Sequence, residues 1–261
     1  MTGDAAPSGL SNLWKRAVTG IVLVVVALGA LFAGGWSFWL LVTFLAVAMI
    51  AEWAGLMKAP RWKILVAIVA MLAIMFFVHP LYRMIDVTSL FVLLGGCVAL
   101  TVIGLNLRLG AGLLYLGLAC LAIIFLREQG GVILTFWTLA IVWATDIGAY
   151  FSGKTIGGPK LAPQFSPNKT WAGLIGGAIC ATLVSAIFAF QTALPFLIIP
   201  LAALFALVAQ LGDLFESWLK RRADVKDSSN LFPGHGGALD RLDGLLPVAI
   251  GVAALSGAGA L

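Results

Sequence analysis

Apolar residues gather in nine runs along the chain. The first ends at Ala33, and the others span about 36–57, 62–79, 86–105, 110–126, 131–151, 171–194, 195–219 and 244–261. Most of these runs reach or exceed the ~17 residues that a helix needs to cross a bilayer core. The pattern therefore predicts an all-α polytopic integral membrane protein with about nine transmembrane helices. The fifth and ninth runs lie near the lower limit, and only Pro195 separates the seventh from the eighth. Trp14, Trp36, Trp62, Trp171 and Trp218 stand near run ends, where an amphipathic ring favours the membrane interface. The first run follows the Lys15-Arg16 pair; it is long for a signal segment and lacks a clear small-residue cleavage site, so it reads as a retained span.

Composition strengthens this picture. With 62% hydrophobic and 10% charged residues and a mean hydropathy of +1.08, the chain has too few polar side chains to cover a globule of its size. A soluble nucleic-acid binder could share the pI of about 9.3 but not the apolar runs. Cys97, Cys120 and Cys180 all fall inside those runs without metal or redox spacing, and they read as small buried apolar residues.

Basic residues orient the spans. With the N-terminus cytoplasmic and nine alternating crossings, Lys15, Arg16, Lys58, Arg61, Lys63, Arg108, Lys154, Lys160, Lys169, Lys220, Arg221, Arg222, Lys226 and Arg241 lie inside. Only Arg83 and Arg127 lie outside, a split of 14 against 2. The C-terminus is then periplasmic or outside, and the two long polar loops, 152–170 and 220–243, face the cytoplasm. Residues 1–130 supply N-terminal transmembrane helices, and 131–261 form a second region that carries both loops.

The costly residues come next. Glu52, Asp146, Asp213 and Glu216 sit within or at the edges of apolar runs, where an ionised group needs a polar cavity or a partner. Gln210, Asp213, Ser217 and Lys220 follow helical spacing, so one face is expected to run from a buried amide and carboxylate up to an ammonium at the interface. A structural ion pair is the competing reading for Asp213, and Glu52, isolated beside Trp53, reads as structural.

Both loops suit phosphate and metal chemistry. In 152–170, Gly153, Gly157 and Gly158 allow close backbone approach and Lys154, Lys160 and Lys169 supply charge, although the glycine spacing is not that of a Walker A loop. In 220–243, Lys220, Arg221 and Lys226 are suited to phosphate oxygens, while Asp227, Asp240 and Asp243 are oxygen donors suited to Mg²⁺. Asp240 and Asp243 precede the last helix, where carboxylates also serve simply as caps. The His235-Gly236-Gly237 turn brings backbone close to a ligand. His235 is either a phosphate donor or proton carrier, or the holder of a turn.

Lys220-Arg221, Lys226-Asp227, Pro233, His235-Gly236-Gly237 and Asp240-Arg241-x-Asp243 together closely resemble the signature of the phosphatidate cytidylyltransferase family, the CDP-diacylglycerol synthases. Asp146, Gly153-Lys154 and Ser166-Pro167-Asn168-Lys169-Thr170 match the family's upstream features, so the resemblance covers about residues 140–261. Ala238 departs from it, standing where the family usually has a larger aliphatic residue.

The resemblance implies joining of CTP and phosphatidate with release of pyrophosphate, at the cytoplasmic face of a bacterial inner membrane. It implies Asp213 and Asp240 as holders of Mg²⁺, with Asp146, Asp227 and Asp243 as a second ligand set or shell and room for a second metal ion. Lys220, Arg221, Lys226 and Arg241 would grip phosphates. Lys154, Ser166, Asn168, Lys169, Gly236 and Gly237 would bind substrate, with His235 as an auxiliary donor. A homodimer in the lipid bilayer is expected, with no nucleic-acid partner. A CTP-dependent lipid kinase of the polyprenol type and a secondary transporter are the competing readings.

Overall fold

The computed structural model describes residues 9–81, 85, 87–104 and 106–261. Arg83 of the topology count falls outside them, as do the side chains of Lys15 and Arg16. The order is α1 (Gly9–Ala33), α2 (Gly35–Leu56), α3 (Arg61–Phe77), α4 (Val87–Gly104), α5 (Leu107–Phe125), α6 (Gly131–Thr155), β1 (Lys160–Ala162), β2 (Ser166–Thr170), α7 (Trp171–Gln191), α8 (Ile198–Arg222), α9 (Leu239–Leu242) and α10 (Leu245–Gly257). Each apolar run thus coincides with a helix. Four helical stretches among the described residues are long and apolar enough to cross a membrane: 35–56, 107–155, 171–191 and 198–222. The second of these joins α5 to α6 through a π-turn at Leu126–Gly130.

Boundaries shift where polar residues can still be satisfied within a helix. α6 runs on to Thr155, whose hydroxyl donates to the Phe151 carbonyl one turn back. α8 runs on to Arg222, which places Lys220, Arg221 and Arg222 on its last turn, a favourable end for cations. Loop 152–170 is not irregular throughout. Its second half is an antiparallel hairpin pairing Lys160 with Thr170 and Ala162 with Ser166. Thr170 then caps α7, its hydroxyl accepting from the Gly173 N–H at 3.0 Å.

Sequence neighbours α2 to α5 pack in succession, as do α6, α7 and α8. In lipid, helices associate through close van der Waals fit, which small residues permit. The α6–α7 contact uses this device: a Cβ on Gly148 would lie 2.7 Å from Cys180 Sγ and from the Gly176 carbonyl. We expect Gly148→Val to push these helices apart and to cost about 1–3 kcal/mol. Thermal inactivation in detergent should move down by several degrees, and an unchanged midpoint would contradict this packing.

Two apolar cores result. One is built on α2 to α5 and takes in Leu219, Ala223, Ala238, Leu239 and Leu246 from the second half; the other joins α6, α7, α8 and α10. The polar segment after α8 is therefore anchored on the first core, while the helices that flank it, α8 and α10, pack in the second. Its end of the bundle also holds Lys58, paired with Asp224 at 3.6 Å, and the Arg108 carbonyl, which accepts from Trp53 Nε1 at 2.9 Å. At the opposite end Trp36 stacks on His79, and Arg127 Nε donates to the Leu31 carbonyl.

Candidate active site

Segment 223–244 lacks long secondary structure, and its shape comes from two carboxylates. Asp240 is 9% exposed. Its Oδ1 accepts from Lys220 Nζ at 2.5 Å, and its Oδ2 accepts from the N–H groups of Ser228 at 2.9 Å and Gly237 at 2.7 Å. Burial pushes this carboxyl up, but the Lys220 ammonium and the two N–H donors outweigh it and hold Asp240 below the ordinary carboxylate range. Both oxygens are thus committed.

Glu52, reaching over from α2, is the second organiser. It accepts from Ser229 Oγ at 2.6 Å and from the Ala238 and Leu239 N–H groups at 2.9 and 2.8 Å. Ser228 Oγ lies between Glu52 Oε2 and Asp240 Oδ2, at 3.0 and 2.8 Å, so its single proton serves one or the other. Glu52 is structural, as its position suggested, yet it is far from isolated. The Gly-Gly pair is required here. Gly236 adopts φ +85°, and a Cβ on Gly237 would enter Ser228 Oγ and Glu52 Oε1.

A second cluster stands beside the first. Lys169, carried in by β2, donates to Gln210 Oε1 at 2.6 Å and forms an ion pair with Asp213. Ser217 donates weakly to Asp213 at 3.4 Å. The expected continuous stripe from Gln210 to Lys220 therefore divides: Gln210 and Asp213 turn to Lys169, while Lys220 turns to Glu216 at 2.9 Å and to Asp240. Gly212 lets α8 come close to the turn before α10, where a Cβ would strike the Asp243 carbonyl. Asp243 is consequently pushed well above the ordinary range by burial and by the charges of Asp213, Glu216 and Asp146, against the Gly244 N–H that lowers it.

Two polar cavities open side by side. One, of about 250 Å³, is lined by Ser166, Asn168, Lys220, Arg221, Lys226 and Asp227 among others. The other, of about 300 Å³, is lined by Asp146, Tyr150, Lys169, Gln210 and Asp213, and again by Ser166 and Asn168. The β2 strand is their shared wall. The first cavity is mainly cationic and the second mainly anionic.

Other expected residues lie elsewhere. The His235 ring sits against Gly20 of α1 and lines neither cavity, and its turn is closed by its own N–H donating to the Phe232 carbonyl at 2.8 Å. Lys154 lies on the exposed end of α6 over the Tyr150 ring. Arg241 lines neither cavity and is exposed on α9, but its charge reaches Asp146 of the carboxylate-lined cavity. Gln210 and Glu216 join the site although sequence reading gave them no role in binding; both carried the signal of a polar side chain inside an apolar run.

The donor chemistry fits a hard cation. Glu216 Oε1 is buried without a hydrogen-bond partner, and Asp243 feels three neighbouring carboxylates, an excess of negative charge that a divalent ion would relieve. Among the described residues no group of three His, Cys, Asp or Glu side chains is placed to hold a metal ion. Mg²⁺ does not need one, since it takes one or two carboxylates and fills its shell with water and substrate phosphate.

The cytidylyltransferase family model matches residues 14–257. A phosphatidate cytidylyltransferase of Brucella suis is 42% identical over 257 residues, covering 92% of each chain. One from Pseudomonas aeruginosa is 36% identical over 253 residues, covering 89% of this chain and 93% of its own. Another from Rickettsia bellii is 32% identical over 248 residues, covering 90% and 87%.

Proposed function

The chain belongs to the cytidylyltransferase family, and we propose that the two adjoining polar cavities carry out its transfer of a cytidylyl group from CTP to phosphatidate. The observation that carries this reading is the pairing of a cationic cavity with a carboxylate-lined one across a single strand. The triphosphate lies in the cavity of Lys220, Arg221 and Lys226, and the lipid phosphate enters beside Lys169. A phosphatidate oxygen, already ionised at neutral pH, attacks the α-phosphorus of CTP. The new P–O bond forms as the α–β anhydride breaks, and pyrophosphate leaves with the electron pair.

No base is required at the nucleophile, so the protein's work is positioning and charge. Lys169 faces the lipid phosphate, held by Asp213 and Gln210. Ser166 and Asn168 contact both substrates from the shared wall. Lys226 and Arg221 neutralise the departing pyrophosphate. Asp213 and Asp146, which line the second cavity, would hold Mg²⁺, which when bound supplies positive charge to the phosphate oxygens; Asp243 stands behind them. Asp240, whose oxygens are committed, fixes Lys220 and the Gly237 turn, and Asp227 lies exposed in the cationic cavity.

Nine crossings, a cytoplasmic N-terminus, residence in a bacterial inner membrane and a homodimer belong to the same reading. The 14-to-2 distribution of basic residues supports the orientation. A cytoplasmic site is also where CTP is found.

Lys226→Ala should raise the KM for CTP about tenfold, the worth of one hydrogen bond to a charged group. The KM for phosphatidate should stay within about twofold. An unchanged KM for CTP would remove Lys226 from the nucleotide site.

A further inference from the structure

We propose that the open apolar groove between α7 and α8 seats an acyl chain of phosphatidate and delivers its headgroup to the carboxylate-lined cavity. The inference rests on the activity proposed above and adds the lipid's route. The groove encloses about 510 Å³ between Trp171, Ile175, Ile179 and Leu183 on one side and Ala203 and Leu207 on the other. Its end is continuous with the polar cavity: Leu174 lines both, and Trp171 directly follows Thr170, a residue of the polar wall. An apolar channel ending at Lys169, Asp146 and Asp213 matches a molecule with long chains and a phosphate head.

Dimensions agree. From Trp171 to Leu183 the helix rises about 18 Å at ~1.5 Å per residue, slightly more than half of a ~30 Å hydrocarbon core. The groove therefore reaches through one leaflet. Thr182 does not wet it, because its hydroxyl donates to the Ala178 carbonyl at 2.8 Å. Ile175, Ile179, Leu183 and Leu207 are exposed along its outer side, so a chain can enter sideways from the bilayer. An apolar cavity beside α2 and α10 holds only about 100 Å³ and shares no residue with either polar cavity.

The test compares dioleoyl and dihexanoyl phosphatidate as substrates in detergent micelles, using the full chain carrying Ala203→Phe or Leu207→Trp. Either variant should raise the KM for the dioleoyl lipid about tenfold, the scale set by crowding an apolar pocket. The KM for CTP and the kcat with the dihexanoyl lipid should stay within about twofold of wild type, which also reports an intact fold. Val69→Phe, on an exposed face of α3, should change nothing. Should Ala203→Phe fail to fold, Leu207→Trp, at a 43% exposed position, carries the test. A wild-type KM for dioleoyl phosphatidate in the groove variants overturns the proposal, as do equal losses on both lipids. Absence of CDP-lipid from the wild-type protein with either lipid would instead bring down the activity on which the proposal rests.

Discussion

Replacing Glu52 by alanine is expected to abolish cytidylyl transfer although Glu52 touches neither polar cavity. The substitution removes the acceptor for two buried backbone N–H groups, at Ala238 and Leu239, and for the Ser229 hydroxyl, while Ser228 keeps Asp240. A hydroxyl can rotate to a new partner, but a backbone N–H held inside protein cannot. Each orphaned N–H costs about 1–3 kcal/mol, so the loss for the two is about 2–6 kcal/mol. That loss falls on a segment with no long helix or strand to resist it. Segment 228–240 should come away locally while the helices stay packed. We expect wild-type helical content by circular dichroism, new protease cleavage between residues 226 and 240, and activity reduced more than about 100-fold. Glu52→Gln, which retains one carbonyl oxygen, should fall between. Wild-type activity and protease resistance in Glu52→Ala would contradict the anchoring role.

The second large effect is expected at Asp213. Asp213→Asn keeps the volume and removes the charge that holds Lys169, together with a carboxylate oxygen suited to Mg²⁺. A fall in kcat of about 1,000-fold corresponds to roughly 4 kcal/mol of transition-state stabilisation. Asp243 should respond as well. Its carboxyl is held up by burial and by Asp213, Glu216 and Asp146, so losing one of these charges lowers it toward the ordinary range. Asp213→Asn with wild-type kcat would remove this carboxylate from the reaction.

The helices were legible because apolar runs and helices share one cause: backbone polar groups in lipid must be satisfied within the segment. The charged residues that the fold gathers were also legible, since Asp213, Lys169, Lys220 and Asp240 all stand out as charges in or beside apolar runs. Their partners were not. Helical spacing places Asp213 and Lys220 on one face, but it does not say which way a flexible four-carbon side chain turns, and Lys220 turns to Glu216 and Asp240. The role of Glu52 depends on contacts across 176–187 positions, which no local pattern encodes. Of the two readings of His235, the contacts favour the turn. Its glycine neighbours do serve close approach, but the approach is to Glu52, Ser228 and Asp240 within the protein, and the imidazole faces α1.

On the proposed reading, transfer of the α-phosphoryl of CTP, with its cytidine, to phosphatidate takes place in the paired cavities. Its most direct test supplies purified protein with phosphatidate, Mg²⁺ and CTP labelled separately at the α- and γ-phosphorus. α-Label is expected in the lipid phase and γ-label in pyrophosphate, and both should be lost in Asp213→Asn. Appearance of γ-label in lipid with CDP left in water would signify a lipid kinase and contradict the account, as would absence of any turnover by folded wild-type protein.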